Sequence, residues 1–214
     1  ILLLTPGVIH AAPLTAGVAK VDITDPGAGP VSSPLYVKAL LLKNDATALA
    51  IVTVDAVALE NIGRIDSSYL PAVRAFAEKE LGIPPSNVLI NASHCHGIVR
   101  TDVADLTMQA LRAAASAMIP VTVGAGRGRE DRISENRRYA LKRGGEADCR
   151  HAYSLPFDDE IAAVGPIDPD IGVLRLDRLD GATLAVVYNF ACHPILGVPN
   201  GANTADIAGF ASTA

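Results

Sequence analysis

The order of apolar segments between residues 17 and 126 constrains the fold of this chain most. Alternating or continuously apolar segments predict strands over residues 17–23, 36–43, 49–57, 87–92 and 121–126. Apolar residues at helical spacing predict helices over 65–81 and 101–118, which fall between the later strands. This alternation of strands and helices predicts an α/β fold, with a mixed, partly parallel sheet flanked by helices.

The composition suits such a core and argues against one class of function. Aromatic residues make up only 4% of the 214 residues and Trp is absent, so Ala, Val, Leu and Ile must fill the interior. The formal net charge is −5 with a pI near 5.5, and no long basic run is present. A chain without a basic surface is a poor ligand for phosphate backbones, so we expect no nucleic-acid partner.

The part of the chain after residue 126 is more polar. Residues 127–150 are polar, and residues 153–169, with three prolines and four acidic residues, predict a long surface excursion. Two further strands are predicted at 172–177 and 183–191, joined by a turn at residues 180–181.

The first residues form a short apolar run that is followed by small residues. Residues 1–13 predict the remnant of a secretory signal peptide, and the alternative is a buried first strand. The run is too short to span a bilayer. We therefore expect a secreted or periplasmic protein whose catalytic part comprises residues 14–214, with no transmembrane segment.

Two histidines follow directly after the predicted strand over residues 87–92. His94 and His96 are separated by one residue, and such residues on a strand share a face. Both imidazoles could bind one metal, or one could bind it while the other moves a proton; an ordinary polar turn is the alternative. Gly97 follows, where the backbone must turn sharply or approach a ligand closely. The position is the carboxyl end of a strand, where open α/β sheets bind ligands.

A third histidine follows the predicted strand over residues 183–191. His193 precedes Pro194, which excludes the helical conformation for His193. Neutral imidazole is a common zinc ligand, and catalytic zinc sites use three protein ligands and one open position. Two unrelated structural histidines are the alternative. The neighbouring Cys95 and Cys192 raise the question of metal binding, but we expect small buried apolar residues, because strand neighbours point to opposite faces.

Three further polar residues are candidates for supporting roles. Asp206 lies at an expected helix start, where it caps the helix or accepts a hydrogen bond from a metal-bound histidine. Asn203 precedes it in the same loop, and we expect both, with Gly97, to contact the substrate or support the histidines. Arg137 could hold an oxyanion or a carboxylate; a solvated basic turn is its alternative.

Most of the chain, over residues 16–212, resembles the N-terminal catalytic domain of the neutral/alkaline, non-lysosomal ceramidases. The resemblance is most specific at the strand followed by HCHG and the strand followed by ACHP. The segments that carry it are AGVAKVDIT, YVKALLL, ALAIVTVDAV, GIPPSNVLINASHCHG, PVTVGAG, ENRR, DPDIGVLRLD and LAVVYNFACHP.

The resemblance implies a zinc-dependent hydrolase that cleaves the amide of an N-acylsphingosine, giving a sphingoid base and a fatty acid, with possible access to lipid at a membrane surface. It implies that His94 and His193 bind Zn²⁺. It also implies that His96 is the active-site histidine beside the metal and that Arg137 is the active-site arginine. A zinc hydrolase of another amide or ester, or a non-catalytic ligand-binding domain, remains open as an alternative.

The sequence departs from the family at two loops. The family motif HTHSGP reads HCHGIV at residues 94–99, and residues 26–34 form a shortened loop. The family completes its zinc site with a Glu and a Tyr far downstream, which residues 1–214 do not include. We therefore expect these residues to be the N-terminal part of the catalytic domain, to bind zinc weakly and to be inactive alone.

Overall fold

A computed structural model describes residues 13–148, 156–195 and 202–213. It shows the expected mixed α/β fold with a partly parallel seven-stranded sheet and helices. The strands are β1 (Thr15–Asp22), β2 (Tyr36–Lys43), β3 (Ala48–Val54), β4 (Val88–Ala92), β5 (Ile119–Arg129), β6 (Arg138–Leu141), β7 (Glu146–Asp148), β8 (Ile161–Val164), β9 (Asp170–Arg178) and β10 (Thr183–Phe190). The helices are α1 (Tyr69–Leu81), α2 (Val103–Ser116) and α3 (Asp206–Ala211).

The larger sheet has the strand order β10-β9-β5-β1-β2-β3-β4. Strands β1, β2 and β3 pair antiparallel, and the β2–β3 turn is closed by Asn44, whose side-chain oxygen accepts from the N–H groups of Ala46 and Thr47. Strands β3 and β4 pair parallel, with α1 as the crossover between them. Parallel neighbours end at the same edge of a sheet, so the loops after β3 and β4 lie side by side.

The chain forms two compact units, and the larger one contains the described parts of residues 1–123, 176–185 and 194–214. Its core joins the inner faces of the strands to α1 and α2. Helix α2 approaches β1 closely at Gly17, where a Cβ atom would lie 2.0 Å from the Ala114 carbonyl oxygen. Helix α1 ends at Gly82, as expected, because Gly82 adopts the left-handed conformation with φ 66°.

The smaller unit contains the described parts of residues 124–175 and 186–193. It holds a three-stranded antiparallel sheet with the order β7-β6-β8. Strand β8 lies within the surface excursion predicted over residues 153–169, and no strand was predicted at β6 or β7. These strands have three or four residues each and are mostly exposed, so no alternating apolar pattern marks them. The sheet is formed by hydrogen bonds between the strand backbones. Gly144 and Gly145 both have positive φ and lie in the turn between β6 and β7.

The predicted signal-peptide remnant lies almost entirely outside the described residues and stays a prediction. Across the described residues, no helix combines the length and the apolar character that crossing a membrane requires.

Candidate metal centre

The spacing of His94 and His96 suggested that both lie on one face of a strand, but neither residue is part of a strand. Strand β4 ends at Ala92, and His94 adopts the left-handed conformation with φ 60°. This conformation is uncommon for residues other than Gly and is concentrated at functional sites. Cys95 between the histidines is fully buried, whereas His94 is exposed and His96 is half-buried. The buried Cys95 therefore leaves both imidazoles on the outer side of the loop, with ring centroids 5.3 Å apart.

A backbone carbonyl of the neighbouring loop fixes the proton on the His94 ring. The Nδ1 atom lies 2.5 Å from the carbonyl oxygen of Val57, in the loop after β3. A carbonyl oxygen can only accept, so Nδ1 carries the proton and the Nε2 atom carries the lone pair that a metal needs. Metal-binding histidines are commonly oriented in this way. The sequence contains no signal for this contact, because any residue at position 57 would present the same carbonyl.

Cys95 has the role of a small apolar residue, as expected. Burial raises the pKa of the Cys95 thiol, which opposes the thiolate form that binds metals. Its side chain instead belongs to the core beneath the histidine loop.

His193 follows β10 and is half-buried. One potential ligand atom from each of His94, His96 and His193 lies within 4.8 Å of the other two, so the three side chains could hold a metal ion. Neutral imidazoles suit zinc, and three such donors leave the open position of a catalytic site. The structure thus brings the three predicted histidines together, while the individual role of each remains a prediction.

Gly97 is required by a close contact within the chain. A Cβ atom there would lie 2.3 Å from Leu35 Cδ2, 2.8 Å from the Thr204 carbonyl oxygen and 3.0 Å from Asn203 Oδ1. The backbone here closely approaches two other loops of the same unit, and the predicted contact of Gly97 with a ligand stays a prediction. Any other residue would push the histidine loop away from them.

Asn203 holds the same loop through its side chain. Its Oδ1 atom accepts from the Ile98 N–H at 2.8 Å, and its Nδ2 atom donates to the Ile98 carbonyl at 2.9 Å. Asn203 is only 3% exposed, and its backbone bonds to Pro30 and Ser32. Asn203 therefore ties the loop that carries His96 to the segment before α3, and its predicted role at the site stays a prediction.

Asp206 is the first residue of α3, whereas the N-cap position is Ala205. It is buried with φ 56°, and its Oδ1 atom lies 2.5 Å from the Ile207 nitrogen, which donates to it. The carboxylate therefore accepts from one of the N–H groups that a helix start leaves without partners. Asp206 does so from the first helical position, one residue after the N-cap position expected for it. A hydrogen bond from Asp206 to a metal-bound histidine remains a prediction.

Arg137 lies in the smaller unit, immediately before β6, and its side chain is exposed. The preceding Asn136 fixes the local backbone, since its side chain donates to the Pro166 carbonyl at 2.6 Å and accepts from the Arg138 N–H at 2.9 Å. The predicted catalytic role of Arg137 stays a prediction.

A buried carboxylate beneath the site was not anticipated from the sequence. Asp55 directly follows β3, is fully buried, and binds the Lys38 ammonium through both oxygens, at 2.7 and 3.0 Å. Its Oδ2 atom also accepts from the Tyr36 N–H. The one available signal was an acidic residue at the end of an apolar strand. Asp55 fixes the start of the loop that presents the Val57 carbonyl to His94.

The fold and the three histidines together define a mixed α/β protein with a candidate metal centre at the ends of its strands. Solved structures of ceramidases share this fold. Neutral ceramidase from Pseudomonas aeruginosa matches with a TM-score of 0.66 and 17% identity, over 95% of this chain and 36% of that one. A structure described as ceramidase complexed with C2 matches with a TM-score of 0.66 and 16% identity, over 94% of this chain and 34% of that one.

The chain thus spans about a third of the length of these structures. At this identity the likeness establishes the fold alone. No family model matches the sequence, and no curated protein matches it.

Proposed function

We propose that this protein is a zinc-dependent hydrolase that cleaves an amide bond, with a ceramidase-like reaction on an N-acylsphingosine. The observation that carries the proposal is the cluster of His94, His96 and His193 on a fold shared with neutral ceramidases. Imidazole nitrogens are donors suited to zinc, and the Val57 carbonyl already holds the His94 ring in the tautomer that binds a metal.

In this proposal His94 and His193 hold the zinc ion. When bound, zinc supplies Lewis acidity at the scissile carbonyl and lowers the pKa of a coordinated water to about 7. A ring nitrogen of His96 lies within 4.8 Å of those of the other two histidines, and we assign to His96 protonation of the leaving amine. Arg137 is proposed to stabilise the developing oxyanion. Export of the protein, also a proposal, would give it access to lipid amides at a membrane surface.

Zinc binding tests the metal centre directly. Isothermal titration should show one Zn²⁺ per chain, and His94→Ala or His193→Ala should each weaken binding by more than about a hundredfold, because each removes a ligand. Glu146→Ala, at an exposed acidic residue of β7, serves as the control and should bind zinc normally. Zinc binding that persists unchanged in both histidine variants would contradict the proposal.

The role of His96 is separable from that of the other two histidines. If His96 moves a proton, His96→Ala retains zinc and loses turnover; if it is a third ligand, zinc is lost as well. Turnover should be measured on the zinc-loaded full-length protein with N-acylsphingosine and with short soluble amides. Cleavage of the soluble amides alone would favour a hydrolase of another amide, and cleavage of neither would exclude the amide hydrolase.

A further inference from the structure

An apolar pocket of about 230 Å³ adjoins His96 within the larger unit. Two loops form it: residues 56–65, which follow β3, and residues 96–99, which follow β4. Strands β3 and β4 are parallel neighbours, so the pocket lies at the carboxyl edge of the sheet, where α/β folds bind ligands. Its position beside His96 places it next to the proposed reaction centre.

The wall of the pocket is apolar and carries little net charge. Its apolar lining includes Ala56, Val57, Ala58, Ile62, Ile65 and Ile98. Arg64 also lines it, but its guanidinium forms an ion pair with Asp25 and lies 3.4 Å from the Val99 carbonyl oxygen. Because this charge is compensated within the protein, the pocket favours an uncharged apolar group.

The shape of the pocket is fixed by the backbone of its first loop. Asn61 and Gly63 both have positive φ, at 64° and 83°. A Cβ atom on Gly63 would lie 2.9 Å from Val57 Cγ1, so the loop folds tightly against Val57. Val57 is also the residue whose carbonyl accepts from His94. The pocket wall and the orientation of His94 therefore depend on the same short segment.

Two large apolar side chains of the pocket are exposed. Ile62 is 58% exposed and Ile98 is 41% exposed. Exposed apolar side chains grouped around a concave site are typical of a ligand-binding surface. An apolar ligand group would remove both from water.

The volume of the pocket sets how many carbon atoms of that group it can cover. An apolar cavity of about 150 Å³ accommodates benzene, so by proportion 230 Å³ accommodates about nine carbon atoms. We propose that this pocket binds the apolar acyl group of an uncharged amide substrate and selects groups of medium length, near eight or nine carbons. This inference rests on the proposed amide hydrolase and specifies its substrate class.

A series of acyl lengths tests the selection. We expect kcat/KM of the zinc-loaded full-length protein to rise roughly fourfold per methylene from the acetyl to the octanoyl amide of one amine. From octanoyl to palmitoyl, kcat/KM should stay level or fall. Ala58→Leu fills part of the pocket and should shift the preferred length toward butanoyl. Rates independent of acyl length, or a preferred length unchanged by Ala58→Leu, would overturn the proposal.

Binding of octanamide, measured by calorimetry with and without zinc, tests the pocket independently of amide cleavage. Ile62→Ala should weaken octanamide binding several-fold, whereas Leu89→Ala, at a β4 residue that is 60% exposed and does not line the pocket, should leave it unchanged. If octanamide binds in this way but no amide is cleaved, the hydrolase proposal fails and the pocket stands. If octanamide binds no better than butanamide, the pocket proposal fails, whatever the turnover.

Discussion

The two units of this protein are stabilised in different ways. In the larger unit, the core residues of β2 to β4 and of the two long helices are almost completely buried. Asp55, which directly follows β3, forms its ion pair with Lys38 of β2. In the smaller unit, three short strands expose most of their residues, and ion pairs such as Arg132–Glu130 lie at the surface. Arg132 lowers the pKa of Glu130 to about 2 by hydrogen bonding to its carboxylate.

The comparison shows where rigidity is available for chemistry. Buried side chains lose contacts that nothing replaces when they are changed, whereas exposed charges exchange a partner for water. His94 and His96 follow β4, and their loop rests on the buried framework of the larger unit. We therefore expect substitutions of matched chemistry to have larger effects in the larger unit than in the smaller one.

The largest difference in free energy of unfolding between matched variants of the two units is expected for their ion pairs. Asp55→Ala leaves the Lys38 ammonium and the Tyr36 N–H without their acceptor and should lower the free energy of unfolding by about 3 kcal/mol. Asp148→Ala removes a 4.0 Å ion pair to the exposed Arg138 and should cost less than about 1 kcal/mol. Urea denaturation measures both, and equal effects would show that burial does not distinguish the two units.

A smaller difference in free energy of unfolding is expected between alanine variants of two glycines, one in each unit. Gly97→Ala should lower the free energy of unfolding by about 2 kcal/mol, because the new methyl group overlaps Leu35 and the Thr204 carbonyl. It should also weaken zinc binding, since the histidine loop must move. Gly172→Ala places a methyl group where no atom lies within 4 Å, in β9 of the smaller unit, and should be neutral or slightly stabilising. Thermal unfolding and zinc titration of both variants check this, and a harmless Gly97→Ala would contradict the tight packing of the loop.

The smallest effect concerns two asparagines with the same bonding pattern. Asn203→Ala removes both hydrogen bonds to Ile98 and should weaken zinc binding about tenfold, because it loosens the loop that carries His96. Asn136→Ala also removes one donated and one accepted backbone bond, and zinc affinity should not change. Loss of protection of the Ile98 amide in hydrogen exchange, without any loss of zinc affinity, would restrict Asn203 to a structural role.

Local patterns in the sequence predicted the elements of the larger unit well. Strand β2 has the predicted bounds, and helix α1 ends at Gly82 because that residue accommodates a left-handed backbone. The smaller sheet escaped prediction because its strands are short and exposed, so neither face carries an apolar stripe.

The sequence by itself determined the apolar periodicity of the main strands and helices, and it marked His94, His96 and His193 as residues at strand ends. These features are local, because side-chain order along a strand or helix fixes which face is apolar. Only the tertiary structure decided that the three imidazoles meet, that the Val57 carbonyl orients His94, and that Asn203 reaches Ile98 across 105 positions of the chain. Such contacts depend on how distant backbones close around a common core, and no short stretch of sequence encodes them.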